Sequence, residues 1–318
     1  MLAAMALGLP LPPITMATVF IVMQPQARQV LDKSLYRLIG TVAGAGAAWA
    51  IGSLFSQTPA VFLAAIGVWV SLFTFAAAFS KQLKAYSIVL TGYTPVLIGI
   101  PAVFQLEHLG HHTTARLEEV GLGLLFSAAA ILLNGARAAG GRAALPSSAN
   151  PGTAAAGVSA RAALLAGLHP AIAMLLMSAF WLHTSWHGGA MATLNATVDC
   201  ALVALAAHPL RAAAQMSIGT LAAVAVGMLL QLCYPLLASV PPGLLLAPAL
   251  AIGAIATGNP DTIGAGLGYC ITLSMLAWPG THLSGGAEQD AAGLILSIFV
   301  LTAICAILWP FRQRPQPA

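Results

Sequence analysis

Charge is what this sequence lacks. Twelve Lys and Arg and eight Asp and Glu are spread over 318 residues, or 6%, where a soluble domain carries about 25%. So few charged side chains cannot cover a folded surface in water. A conventional soluble enzyme or binding domain is therefore excluded. Basic patches interleaved with aromatics are also missing, so the formal charge of +4 does not point to nucleic acid. The four cysteines, Cys200, Cys233, Cys270 and Cys305, are far apart and form no C-x-x-C pair. They read as small buried hydrophobes rather than disulfides or metal ligands. No P-loop is present to support ATP drive, and no nucleophile elbow to support serine catalysis. The start, MLAAMALGLP, has no basic region of the kind that opens a cleavable signal peptide. His108, His111, His112 and Glu107 cluster in one loop without the ordered spacing of a zinc site. Neither a cofactor, a metal nor a catalytic residue is expected.

What the sequence has is apolar runs, each long enough or nearly so to cross a bilayer, which takes about 18 residues or more. Spans are expected at 12–24, 35–55, 59–79, 85–103 and 116–135, then at 162–182, 187–206, 212–236, 243–257, 263–279 and 290–310. The first nine residues read as the tail of a helix whose beginning would lie upstream of Met1. The stretch PPITMATVFIVMQP, closed by prolines at both ends, suggests a half-helix. Between the two series lies NGARAAGGRAALPSSANPGTAAAGVSAR, with the composition of a flexible linker. The expected fold class is an all-α polytopic membrane protein. Its expected division is an N-terminal transmembrane unit at 1–136, a linker at 137–161 and a C-terminal transmembrane unit at 162–318.

The few charges are sorted. Arg28, Lys33, Arg37, Lys81, Lys84, Arg137, Arg142, Arg161, Arg211, Arg312 and Arg314 all fall on one side of the expected spans. The other side holds Arg116 with Glu107, Glu118, Glu119, Glu288 and Asp290. Lys and Arg excess marks cytoplasmic loops, which places the linker and the C-terminus in the cytoplasm.

The chain also repeats itself. MATVFIV (Met16 to Val22) is followed by Ile39-Gly40-Thr41, and MATLNATVD (Met191 to Asp199) by Ile218-Gly219-Thr220. Gly92-Tyr93 matches Gly268-Tyr269, and EEVGLGLLFS matches QDAAGLILSI. Two copies of a six-span unit follow. An even number of spans sets the copies parallel, with a solute path expected between them. The helix after each first motif carries small residues four apart, Gly40 and Gly44 in one copy and Gly219 and Gly227 in the other. Such spacing makes a groove for another backbone, and these helices are expected to pack centrally, against their own counterparts.

With VFIVMQPQARQVLDKSLYRLIGTVAGA, YSIVLTGYTPVLIGIPAV and ARLEEVGLGLLFSAAA in view, the chain resembles the fusaric acid resistance family. The matching elements are Gln24-Pro25, Lys33-Ser34, Arg37, Gly40-Thr41, Gly92-Tyr93-Thr94, and Arg116 with Glu119. The resemblance is strongest over 12–135 and continues over 162–310. It implies an inner-membrane, proton-driven exporter of aromatic carboxylic acids working with a periplasmic adaptor and an outer-membrane channel. It also implies a structural or gating role for Arg116 and Glu119, for which simple interfacial anchoring is the alternative. Members of that family carry a sizeable cytoplasmic domain between the halves, where this chain has the linker. A passive anion channel of similar architecture and an inactive truncated remnant are the alternatives, and a homo-oligomer is compatible with either.

Asp199 stands out among the candidate residues, because a carboxylate inside an apolar span normally faces a cavity and carries function. His187, Met191, Asn195 and Asp199 lie four apart on one helix stripe. That stripe is expected to line the path, with Asp199 as the proton site. The bland alternative puts Asp199 at a solvated helix end. Lys33 and Arg37 are expected at the cytoplasmic mouth, gathering anions or merely snorkelling to headgroups. Tyr93 and Tyr269 could stack on an aromatic ring and donate a hydrogen bond, or simply fill the core.

Overall fold

A computed structural model describes residues 7–9, 12–22, 27–55, 57–80, 82–138, 158–237, 239–278 and 282–313. Gln24, Pro25, Lys81, Arg142, Arg314, the first six residues and most of the linker lie outside them. The described residues form eleven α-helices with no strand. The N-terminal half supplies α1 (Pro12–Val22), α2 (Ala27–Phe55), α3 (Pro59–Ala78), α4 (Gln82–Ala102) and α5 (Leu109–Ala138). The C-terminal half supplies α6 (Ala160–Thr184), α7 (Gly189–Val203), α8 (Pro209–Leu236), α9 (Pro242–Thr257), α10 (Ile263–Leu276) and α11 (Ala287–Gln313).

Local chemistry explains the helices. Pro59, Pro209 and Pro242 open α3, α8 and α9 at positions where a missing N–H costs nothing. The Ser159 hydroxyl caps α6 by accepting from the Ala162 N–H at 3.2 Å. Inside the spans, buried hydroxyls have no water to bond. Thr74, Thr91, Thr94, Thr193 and Thr197 each donate to the carbonyl four residues back, at 2.7–3.0 Å.

Six helices are long and apolar enough to cross a membrane, namely α2, α3, α4, α6, α8 and α11. The α7, α9 and α10 helices are apolar but shorter. At 1.5 Å per residue, the 11-residue α1 and the 15-residue α7 rise only about 17 and 22 Å, short of a hydrocarbon core of about 30 Å.

The packing follows the repeat. In the N-terminal half α1 lies on α5, α2 on α4 and α5, and α3 on α4; in the C-terminal half α7 lies on α11, α8 on α10 and α11, and α9 on α10. Across the halves α4 meets α7, and its counterpart α10 meets α1. A shared apolar core joins Phe62, Ile66 and Val70 of α3 and Leu90 and Val96 of α4 to Met174 of α6 and Leu194 of α7.

The glycine helices differ from expectation. They lie at the periphery: Leu38, Val42 and Trp49 of α2 and Ile218, Leu229 and Leu232 of α8 are exposed, as lipid-facing side chains are. Their small residues meet α4 and α10 instead of each other. A Cβ on Gly40 would lie 2.8 Å from the Ser87 carbonyl oxygen, and one on Gly219 would collide with the Ala265 carbonyl. A Cβ on Gly227 would press on Leu276 at 3.1 Å. The halves are joined where α3 packs on α6, where α4 meets α7 and where α10 meets α1, and the short α1 and α7 lie at that seam.

Candidate functional site

Where α1 and α7 face each other between the halves, the bundle leaves a cavity of about 70 Å³, room for a few waters. Its walls are mostly apolar. Ile14, Ala17 and Ile21 come from α1, Leu194, Val198 and Leu202 from α7, Leu97 from α4, and Ile271 and Met275 from α10. Set into these walls are five polar side chains: Arg37, Tyr93, Arg116, Asn195 and Asp199. All are buried, with exposures of 2% for Arg37, 5% for Tyr93 and Asn195, 6% for Arg116 and 7% for Asp199.

The acidic wall is built by one helix turn of α7. The Asn195 amide donates one N–H to Asp199 Oδ2 at 2.8 Å and the other to Ser297 Oγ of α11 at 2.9 Å. Ser297 in turn donates to the Leu294 carbonyl at 2.7 Å. Both Asn195 donors are thus committed, and the carboxylate is aimed by a side chain that is itself tied to a neighbouring helix. The sequence stripe holds only in part. Met191 is buried among Val224, Leu276, Ala291 and Leu294, and His187 is exposed ahead of the helix.

The basic wall comes from α2 and α5. Arg37 Nη1 donates to Tyr86 Oη of α4 at 2.8 Å, and Nη2 donates to Thr18 Oγ1 of α1 at 3.1 Å. Tyr93 interacts with both the Arg37 and Arg116 guanidinium groups, and those two like charges, bordering one cavity, disfavour each other. Glu119, buried one turn beyond Arg116, acts on Arg116 with opposite charge. The Nε of each arginine is buried without a hydrogen-bond partner. Lys33 sits one turn before Arg37, with its Nζ 5.6 Å from the centroid of the Tyr86 ring. Lys33, Tyr86, Arg37 and Tyr93 therefore form a column leading from near the start of α2 toward the cavity.

Arg37 and Arg116, assigned by the sequence to opposite faces of the membrane, are thus brought to one cavity. Both helices start earlier than their apolar runs. Arg37 is ten residues into α2, about 15 Å along its axis, and Arg116 lies two turns inside α5. Tyr269 does not line the cavity. It packs at 8% exposure with Leu273 and Trp278, against Met16 and Phe20 of α1. Sequence reading missed Thr18, Tyr86 and Ser297, whose roles come from partners distant in the chain. Near the start of α5, partial burial and the neighbouring His111 and His108 hold His112 toward its neutral form. No group of three or more His, Cys, Asp or Glu among the described residues is arranged to hold a metal ion.

The sequence model of the Fusaric acid resistance protein family matches the chain in two stretches, residues 1–144 and 135–316. Among curated proteins, the fusaric acid resistance protein FusC of Burkholderia cepacia is 41% identical over 112 residues, covering 33% of this chain and 31% of that protein. The uncharacterized transporter YdhK of Salmonella typhimurium is 33% identical over 112 residues, covering 35% of this chain and 16% of that protein. Its Escherichia coli K12 namesake is 32% identical over 112 residues, covering 35% and 17%. The matched stretch thus spans less than a third of each relative's length. No solved structure matches.

Proposed function

The chain belongs to the fusaric acid resistance protein family, and from that premise we propose that it is an inner-membrane exporter of small aromatic carboxylic acids driven by inward proton movement. As a multi-pass membrane protein with relatives named as a resistance protein and transporters, it is read as a transporter and not an enzyme. The observation that supports the reading best is the position of Asp199. A carboxylate with Asn195 as its hydrogen-bond donor lies against a cavity at the seam of two related halves. Burial there is expensive for an ionised group and unrewarded by packing alone. An acid that loads and releases a proton while the halves rock about it accounts for the placement. The positive-inside sorting puts the linker and C-terminus in the cytoplasm. A periplasmic adaptor and an outer-membrane channel are the partners proposed with it.

Efflux from proteoliposomes with an alkaline lumen and an acidic exterior tests this. Neutral benzoic acid diffusing through lipid accumulates in the alkaline lumen. An exporter coupled to inward protons empties the lumen instead, so the direction of the initial flux distinguishes the two. A passive anion channel, the second reading favoured by the two buried arginines, would equilibrate benzoate with a current that follows voltage. An inactive protein would match protein-free vesicles.

A further inference from the structure

Two guanidinium groups, Arg37 and Arg116, are buried at one cavity, and among the described residues Glu119 is the one carboxylate that acts on Arg116. The repeat supplies the comparison. Aligning Ile39-Gly40-Thr41 with Ile218-Gly219-Thr220 puts Met216 opposite Arg37, and aligning Glu118 with Gln289 puts Ala287 opposite Arg116. The C-terminal half builds the corresponding helices, α8 and α11, without either cation. The acidic wall is one-sided in the opposite sense. Asn195 and Asp199 correspond to Phe20 and Gln24. The two copies have therefore diverged so that one half lends the cavity positive charge and the other negative.

We propose that Arg37 and Arg116 together form a carboxylate-binding cradle, completed by the Tyr93 hydroxyl, for a small organic monocarboxylate anion. The inference rests on the transporter reading and adds the residues that hold the substrate. Three features converge on it. Both arginines border the same cavity and both are more than nine-tenths buried. Each retains a buried Nε–H without a partner, a donor that low-dielectric surroundings leave costly until an acceptor arrives. Their charges repel each other, and an anion placed between them turns that repulsion into two attractions. Asp199 is held by Asn195 rather than by either arginine. The fork of a guanidinium matches the two oxygens of a carboxylate, and the apolar walls suit a short hydrocarbon body. Arg37 is also anchored to Tyr86 and Thr18, which fixes the direction of its fork. Arg116 is flanked by Glu119 of its own helix and by Tyr93.

The test uses the full chain in nanodiscs with radiolabelled benzoate, unlabelled benzamide as a neutral competitor of the same shape, and chloride as an inorganic one. Saturable benzoate binding is expected, displaced by unlabelled benzoate but not by benzamide or by chloride at equal concentration. Arg116→Gln should weaken benzoate binding by about tenfold or more, while Arg116→Lys, which keeps the charge but loses the fork, falls between. Monodispersity and helical content show whether each variant folds. Should Arg116→Gln fail that check, Arg116→Lys and the benzamide comparison on the unaltered protein carry the test. Equal displacement by benzamide, full displacement by equimolar chloride, or unchanged affinity in a folded Arg116→Gln variant would overturn the cradle. Charge-selective binding without uphill efflux would leave the cradle standing and remove the exporter. Uphill efflux at full rate in Arg116→Gln would do the reverse.

Discussion

Replacing Gly44 by alanine probes the seam that carries Arg37 to the cavity. A Cβ at position 44 would sit 2.5 Å from the Thr94 Cβ and 3.0 Å from the Thr91 carbonyl oxygen. Carbon atoms in contact settle at about 3.5 Å or more, and a Cβ moves only with its backbone. No rotamer relieves the clash, so α2 and α4 must part by about 1 Å. Overpacking of this kind costs about 1–3 kcal/mol, against a helix-propensity gain of about 0.5–1 kcal/mol for replacing glycine by alanine. The net expectation is a loss of about 1–2 kcal/mol. Gly46 lies half a turn away on the same helix, exposed, with nothing within 4 Å of its Cβ position. Gly46→Ala should therefore hold or gain stability. Reversible unfolding in mixed micelles compares the two variants, and Gly44→Ala should also slow benzoate efflux, because parting the seam pulls Arg37 from Tyr86. Equal stability of Gly44→Ala and Gly46→Ala would refute the close-packed seam.

Asp199→Asn should insert and fold normally yet lose uphill efflux; efflux unchanged from the unaltered protein would remove Asp199 from the mechanism. Tyr93→Phe should raise the benzoate concentration needed for half-maximal efflux, whereas Tyr269→Phe, outside the cavity, should leave it unaltered; concentration series of initial rates separate the two. Asn195→Ala strips a buried carboxylate of its donor and should cost about 1.5–3 kcal/mol, read from the same unfolding transitions.

Much of the fold could be read from the chain because lipid forces helices to announce themselves as apolar runs. The expected span at 59–79 corresponds to α3 at Pro59–Ala78, and that at 187–206 to α7 at Gly189–Val203. The charged ends were harder. Hydropathy sees the apolar run from 35, but α2 starts at Ala27, and its Lys33 and Arg37 turn inward onto Tyr86. The polar stretch before Arg116 is helical too, and its Thr113 and Thr114 turn their hydroxyls back to the carbonyls of Leu109 and Gly110. Rules that send arginine to a membrane face describe lipid-exposed surfaces. They say nothing of a cation that an internal cavity can hold. Asp199 was conspicuous as an acid in an apolar span, while its connection through Asn195 to Ser297 joins residues far apart in sequence. Single-sequence periodicity carries no such pairing.

The most direct test of a solute-accessible cavity between the halves is the reactivity of one thiol placed there. Ala17 borders the cavity, and in a variant with the four native cysteines replaced by alanine, Ala17→Cys can be followed with a small water-soluble maleimide. Modification is expected at a measurable rate that benzoate slows and benzamide does not. A thiol that stays inert while an exposed control reacts, or one whose rate ignores benzoate, would contradict it.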